Sequence, residues 1–571
     1  MRKIPYGISD FKKIREQNYL YIDKTRFIEK LDRLGSEYLF FIRPRRFGKS
    51  LFLSTLENHY DLNNKNYFDD LFNGLNISKN LTQSRTSYII LKFNFSGLNT
   101  DNKANLYNSF RERIIQTIVG TIKKYRNIFS DYQETIKKLE TAEDIGSILN
   151  LFIEKTKEID QKVYLIIDEY DHFANDIIAM GDGEFYKNIV RSTGFVRDFY
   201  ETVKIGTESV IDRIFITGIS PIMLDDLTSG FNIADNITMS TFTNEMLGFT
   251  EDEVKGIIDE FLAQDEVDVD MSNKELLIEL KKNYNGYLFN KDSRQRVYNP
   301  DMVLNFFNQW LMNKKYPDKL IDDNVRTDYG RLNRLIANEA NREVLEDIIL
   351  EEQIVADIIT RFSFDMMYDE DYFVSLLFYM GLLTIDRQYR TRMLLNMPNY
   401  VVKVIFWEYI ENKLAKEYNV NLNLNDLRKA IEDMAYDGKI SSYLDYIQDY
   451  VLQVLSNRDL INFDEKYIKL ILFTYLVDSK VYKPYSELEV ENGYMDIYLE
   501  RDPRISNIKY EWIIELKYLK KSDKDKLAEV KKEGLKQLDK YANSRKFSGK
   551  ENLRKALLIF IGKDEYVLVE V

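Results

Sequence analysis

The chain of 571 residues has no cysteine and only two histidines, His59 and His172. The first absence excludes disulfides, thiolate nucleophiles and zinc sites built on Cys. The second leaves almost nothing for imidazole acid–base chemistry or His-rich metal centres. Any metal must therefore be held by oxygen ligands, which favours Mg²⁺ or Mn²⁺. There are only eight prolines, and no internal repeat, low-complexity tract or Pro/Gly/Ser linker, so the chain reads as folded throughout. No apolar run approaches the length of a bilayer span, and Met1-Arg2-Lys3-Ile4-Pro5-Tyr6-Gly7 lacks an apolar signal segment. The expectation is a cytoplasmic protein with no membrane contact. A net charge of −13 speaks against nucleic-acid binding over the whole surface but leaves room for a local basic patch. At this length a single core is excluded and several domains are expected.

What is present begins with Arg43-Pro44-Arg45-Arg46-Phe47-Gly48-Lys49-Ser50, set between an apolar run at 38–42 and a helical pattern from Leu51. Strand, loop, helix is the setting of a P-loop. In such a loop backbone N–H groups wrap the phosphates of a nucleotide, the lysine (Lys49) reaches the outer phosphates and the hydroxyl (Ser50) ligates Mg²⁺. The positive end of the following helix adds to the same anion site. One position departs from G-x-x-x-x-G-K-[ST]: Arg43 stands where the first Gly is expected. Arg45, Arg46, Phe47 and Gly48 complete the loop, and its two arginines are candidate phosphate contacts. Downstream, the apolar run 163–167 ends in Asp168-Glu169, the pattern of a central parallel strand with a Walker B end. Asp168 would hold Mg²⁺ through water, and Glu169 would polarise the water that attacks the γ-phosphate. A further run, 213–220, ends in small polar residues at the same sheet edge, where Thr217 or Ser220 could sense that phosphate. Strands at 88–95 and, more weakly, 236–240 alternate with helical periodicity over 105–125 and 142–158, so a parallel sheet covered on both faces is expected. Arg45, Arg46 and Arg213 are each candidates for an arginine finger, which a partner subunit of a homo-oligomer could equally supply.

From Thr250 the pattern turns helical. Thr250-Glu251-Asp252-Glu253 is a capping box, and a helix ending at Tyr284 meets Gly286 as its cap. A buried helix over 372–380 closed by Gly381, short strands at 382–386 and 392–396, and a helix from Pro398 make a winged-helix-like order. In so acidic a segment it reads as packing on the ATPase core rather than gripping DNA. Further on, 487–499 reads as a β-hairpin turning near Asn492-Gly493, and 510–517 as an apolar strand ending in Glu515-Leu516-Lys517. Alternation places Glu515 and Lys517 on one face, and Asp496 on the neighbouring strand would bring a second carboxylate. Two carboxylates can hold Mg²⁺ while a lysine, a compact charge with a movable head, positions water or stabilises developing charge; this is metal-assisted phosphodiester hydrolysis. In 517–555 Lys and Arg outnumber acids by roughly two to one, which suits a phosphate backbone. An exposed amphipathic helix over 524–541 would explain the same lysines. Gln537 and Tyr541, four apart, share one face of that helix and would line the site.

These residues are familiar together. Arg43-Pro44-Arg45-Arg46-Phe47-Gly48-Lys49-Ser50, with Ile4-Pro5-Tyr6-Gly7, Tyr21-Ile22-Asp23-Lys24-Thr25, Leu165-Ile166-Ile167-Asp168-Glu169-Tyr170-Asp171 and Ile216-Thr217-Gly218-Ile219-Ser220-Pro221, resembles the bacterial AAA-ATPase-like family. In that family the Arg-Pro-Arg-Arg-Phe-Gly-Lys-Ser form of the loop is usual. Gly493-Tyr494-Met495-Asp496 and Glu515-Leu516-Lys517, followed by Gln537 and Tyr541, resemble the PD-(D/E)xK nuclease domain that the family often carries. The resemblance implies an α/β chain: an ASCE-type P-loop NTPase with a parallel sheet over 1–248, a helical lid and winged-helix-like region over 249–400, a helical connector over 401–465 and a restriction-endonuclease-like α/β domain over 466–571. It also implies an acidic residue before the nuclease Asp, either Glu487 or Glu489, with Glu489 preferred. The expected function is an ATP-binding and ATP-hydrolysing switch coupled to a Mg²⁺-dependent nuclease, acting on DNA more readily than RNA, for example in defence against foreign nucleic acid. The alternative is a non-enzymatic ATP-gated signalling or nucleic-acid-binding module with an inactive nuclease fold.

Overall fold

The computed structural model describes residues 2–179, 183–191, 194–223, 231–263, 271–322, 325, 339–362, 369–417, 420, 422–455, 464–478, 481–491, 493–505 and 507–571. The chain divides into two compact units. One comprises Met1–Lys315, Lys319–Leu345 and Gln353–Tyr400; the other comprises Tyr316–Asp318, Glu346–Glu352 and Val401–Val571.

The first unit is built on a five-stranded parallel sheet of β1 (Tyr38–Ile42), β2 (Ile89–Asn94), β3 (Val163–Asp168), β4 (Ile211–Gly218) and β5 (Asp235–Asn236), in the order β2-β3-β4-β1-β5. β4 is thus inserted between the P-loop strand β1 and the strand that ends in Asp168, as an ASCE-type sheet requires. All six residues of β3 are buried, which is why its sequence shows an unbroken apolar run in place of alternation. α1 (Lys49–Tyr60), α2 (Lys103–Lys124) and α3 (Ile145–Glu158) are among the covering helices. α3 starts later than its periodicity suggests because Asp144 caps it, accepting from Ser147 N at 2.7 Å. β5 is only two residues long, shorter than the apolar run. Asn236 Oδ1 accepts from Thr238 N at 3.1 Å, so the side chain turns the backbone out of the sheet.

Beyond the sheet, the capping box at Thr250 forms as read: Thr250 Oγ1 accepts from Glu253 N, and Glu253 accepts from Thr250 N, opening α4 (Glu251–Leu262). α5 (Asn273–Tyr284) leaves its last turn through an extended Asn285, so Gly286 serves a different need from a simple cap. At φ +110 it lets the chain pass the Pro398 carbonyl, which a side chain would strike. After α6 (Pro300–Asn313) comes a winged-helix-like arrangement of α7 (Glu370–Met380) with β6 (Gln353–Ala356), β7 (Thr384–Tyr389) and β8 (Arg392–Asn396), in the sheet order β6-β8-β7. It packs on the ATPase part of its unit. Leu288 N donates to Thr384 Oγ1 at 2.8 Å, and a Cβ at Gly381 would meet Pro44 Cβ at 2.9 Å, so the end of α7 rests on the P-loop itself.

In the second unit α8 (Glu465–Asp478) precedes β9 (Tyr482–Val490), β10 (Gly493–Arg501) and β11 (Glu511–Leu519); α9 (Leu527–Ala542) then leads to β12 (Leu553–Ile561) and β13 (Glu565–Glu570). The sheet order is β13-β12-β11-β10-β9. Only β11 and β12 run parallel, and α9 is the crossover that such a pair needs. α9 lies close on the sheet because Gly534 faces Leu557. Of the expected hairpin turn, Asn492 lies outside the described residues.

Candidate functional site

The P-loop closes a cavity of about 520 Å³, within the size range of small-molecule sites. Gly48, at φ +89, makes the turn into α1. Arg45, Arg46, Phe47, Gly48, Lys49, Ser50 and Glu169 all line the cavity. Lys49 is buried, and its Nζ donates to the carbonyls of Arg43 at 2.9 Å and Pro44 at 3.0 Å. Burial lowers its pKa, while the charges of Glu169, Asp168 and Asp171 oppose the shift. Ser50 Oγ donates to Asp168 Oδ2 at 2.8 Å, and Asp168 Oδ1 is buried without a partner. An orphaned carboxylate oxygen beside a hydroxyl is a donor set that fits Mg²⁺. Glu169 adopts φ +53, an uncommon conformation for Glu that turns it toward the cavity at the end of β3. Its pKa is raised, chiefly by burial, and Lys49 pulls it back.

Three loop residues take roles the pattern did not reveal. Arg43 is buried: its guanidinium donates to the carbonyls of Ile42, Thr238 and Thr243 and lies 4.4 Å from the Phe41 ring and 4.1 Å from the Phe289 ring. The residue that replaces the first Gly therefore ties the loop to the segment after β5. Phe47 is buried edge-on against Tyr287 and Phe289. Arg46 Nη1 pairs with Asp301 Oδ2 at 3.2 Å, on α6, so a phosphate would have to compete with that carboxylate. Arg45 is near enough for its charge to act on both Lys49 and Glu169.

Thr217 is buried at the end of β4, outside the cavity lining, with Oγ1 unpartnered. Ser220, the other sensor candidate, donates its hydroxyl to Asp171 Oδ2 at 2.8 Å and is thereby occupied. Arg213 is ruled out as a finger acting on its own chain's nucleotide. It lies toward the opposite end of β4, paired with Asp32 at 2.6 Å. Sequence reading missed the rest of the cavity wall: Pro5 and Ile8, Leu20 and Ile22, Leu247 and Phe249 supply its apolar side. Their signal was present in the Ile4-Pro5-Tyr6-Gly7 and Tyr21–Thr25 motifs, but nothing local says that three distant segments converge.

In the second unit β10 and β11 bring Asp496, Glu515 and Lys517 together. Asp496 Oδ2 accepts from Leu516 N at 2.9 Å, and Lys517 Nζ reaches Glu515 Oε1 at 2.7 Å and Asp496 Oδ2 at 3.5 Å. Glu515 is buried with Oε2 unpartnered. Burial first, then the charge of Asp496, raise its pKa to about 7. Lys517 is raised despite burial, because Asp496 and Glu515 hold its proton. Again a free carboxylate oxygen fits a hard cation. Among the described residues no three His, Cys, Asp or Glu side chains form a metal cage.

Gln537 on α9 has Oε1 buried and unpartnered, and Tyr541 packs over Gly493 at the start of β10. Glu489 pairs in register with Tyr494, while the pairs on either side, Met495 with Leu488 and Ile497 with Ser486, bracket Glu487 opposite Asp496. The side chains of Glu487 and Glu489 lie outside the described residues. One acid was missed: Glu465, in the first turn of α8, is near enough for its charge to raise both Glu515 and Lys517. Its distance in sequence hid it.

Residues 5–228 match the family model described as "Predicted AAA-ATPase", and residues 463–570 match that of the PD-(D/E)XK nuclease superfamily. An uncharacterized protein encoded in the vnfD 5′ region of Azotobacter chroococcum mcd 1 is 27% identical over 414 residues, spanning 70% of this chain and 68% of that one. Among solved structures, the ORC1 protein of Aeropyrum pernix in complex with DNA aligns with 70% of this chain and 96% of its own, at 8% identity and a TM-score of 0.29, a likeness too weak to bear on function. The two matched stretches contain, in turn, the P-loop with Asp168 and the Asp496–Glu515–Lys517 cluster: the chain carries an AAA-ATPase-like domain at its N-terminal end and a PD-(D/E)XK nuclease superfamily domain at its C-terminal end.

Proposed function

We propose that the chain is an ATP-binding and ATP-hydrolysing switch coupled to a Mg²⁺-dependent nuclease that cleaves DNA in preference to RNA. The observation that carries the reading is the pair of orphaned, buried carboxylate oxygens, Asp168 Oδ1 and Glu515 Oε2, each beside a lysine and each in the matched domain where a cation is needed. In the first unit Ser50 and Asp168 would hold Mg²⁺, and the amides of 45–50 with Lys49 would hold the phosphates. Glu169 orients the attacking water and takes its proton; its raised pKa suits a base. Thr217, with Oγ1 unpartnered at the end of β4, is the candidate γ-phosphate sensor, although it does not line the cavity itself.

In the second unit Asp496 and Glu515 would hold Mg²⁺, which when bound supplies Lewis-acid stabilisation of the scissile phosphate. Lys517, which pairs with Glu515 and Asp496, would position the water. Gln537 and Glu465 stand by to orient groups around it. Defence against foreign nucleic acid is one setting in which nucleotide control of such a nuclease would serve.

The test is cleavage of labelled DNA and RNA by purified protein with Mg²⁺, with and without ATP. Wild type should cleave, and Asp496→Ala and Lys517→Ala should not. Equal inertness of wild type and variants on both substrates and in every nucleotide state would overturn the nuclease half. Unchanged ATP affinity in Lys49→Ala would overturn the other.

A further inference from the structure

The winged-helix-like module has two faces of opposite charge. α7 opens on Asp369, Glu370 and Asp371 and buries Phe373 to Tyr379. Charge and burial both keep that helix out of a phosphate-lined groove. The hairpin beside it is the reverse. β7 and β8 are joined by a two-residue turn, Arg390-Thr391, since Tyr389 pairs with Arg392. From Arg387 to Arg392 the hairpin holds three arginines and no acid, and 387–391 are all exposed. The neighbouring loop adds Lys291, whose Nζ donates to Gln388 Oε1 at 3.1 Å, and, past the exposed Asp292, the exposed Arg294.

Carboxylates neutralise the base of this hairpin and leave the tip charged. Asp386 takes Arg296 and Arg387, and Asp371 takes Arg392. Among the described residues Arg390 and Arg294 have no carboxylate partner. The tip is also built against local preference. Arg390 sits at φ +55 in a turn where Asn or Gly is the relaxed choice, so a charged side chain is held where the backbone disfavours one. Its guanidinium lies 5.6 Å from the ring of Tyr389, itself 44% exposed. An unpaired arginine beside an open aromatic ring matches a phosphate next to a sugar or base.

We infer that this hairpin tip contacts nucleic acid: Arg390, Arg294 and Lys291 neutralise backbone phosphates, and Tyr389 packs on the adjoining nucleotide. The contact belongs to the first unit and adds a foothold separate from the Asp496–Glu515–Lys517 cluster. It explains how a chain of net charge −13 holds a polyanion without a basic surface throughout.

The test uses the full chain carrying Asp496→Asn, so that no substrate is consumed, and a fluorescein-labelled DNA duplex titrated at several salt concentrations. Arg390→Gly relaxes the turn, so its melting temperature should hold or rise while affinity falls several-fold. The slope of log K against log salt should fall by about one for Arg390→Gly and by about two when Arg294→Ala is added. Arg390→Lys should keep most of the affinity. The inference is overturned if the double variant binds with unchanged affinity and slope, or if the Asp496→Asn parent does not bind the duplex at all. It is also overturned if poly-glutamate of equal charge competes as well as DNA, since the tip would then be a site for acidic protein.

Discussion

Each of the two sites sets a buried carboxylate beside a lysine, yet the two lysines are neutralised in different ways. Lys49 donates to the carbonyls of its own loop, and the carboxylates of Asp168 and Glu169 act on it only through their field. Lys517 is in direct ion pairs with Glu515 and Asp496. A phosphate arriving at the first site needs only to replace two neutral acceptors, and it brings the charge that Lys49 lacks. At the second site lysine and carboxylates satisfy one another, and a cation must displace Lys517 from Glu515 before the lysine can act on water. The P-loop is poised, whereas the Asp496–Glu515–Lys517 cluster is closed by its own charges and would open only to a cation that displaces Lys517.

Breaking the closed site should have the largest effect. Asp496→Ala removes a proposed cation ligand and the acceptor of Leu516 N together, and should lower DNA cleavage by more than about 100-fold, with a smaller change in duplex binding. Retained cleavage would place the chemistry elsewhere. At the poised site, Lys49→Ala should weaken ATP binding about 10- to 100-fold, as expected for loss of a charge-assisted hydrogen bond, measured by calorimetry. A third variant separates pattern from structure. Arg43→Gly restores the generic P-loop sequence but strands three carbonyl acceptors, and should destabilise the first unit by about 2–4 kcal/mol in denaturant melts. A protein made more stable by that change would show that Arg43 only occupies the position of a missing glycine.

The strands and their carboxylate ends were legible because each rests on local signals: apolar runs, capping residues and the order of motifs. β3 and β11 could be placed by an unbroken apolar run that stops at acids. β6 could not, since its four residues, Gln353–Ala356, carry no pattern and form a strand only by pairing with β8. The roles of Arg43, Arg46 and Arg213 were hidden for a related reason. A guanidinium looks alike in sequence whether it faces a phosphate, three carbonyls, Asp301 or Asp32, and only long-range packing decides. Glu465 and the apolar wall of the P-loop cavity fall under the same limit, because their partners lie far away along the chain.

The smallest expected effect probes the closure itself. Glu515 is raised to about 7, by burial first and then by Asp496, with Lys517 pulling it back. In the unfolded chain it would titrate near its ordinary value of about 4.3. Between those values the metal-free folded protein keeps a proton that the unfolded chain has released. The stability owed to this group is therefore complete below about pH 4.3 and is lost as pH rises through about 7. Bound Mg²⁺ would reverse the sign, since it would bind the ionised carboxylate. The rise in melting temperature on adding Mg²⁺ should be small at about pH 5.5 and grow to a plateau above about pH 8. In Glu515→Gln both trends should flatten. A Mg²⁺ increment independent of pH in the wild type would mean that the carboxylate is ionised across the whole range, so that the cation displaces Lys517 alone and no proton.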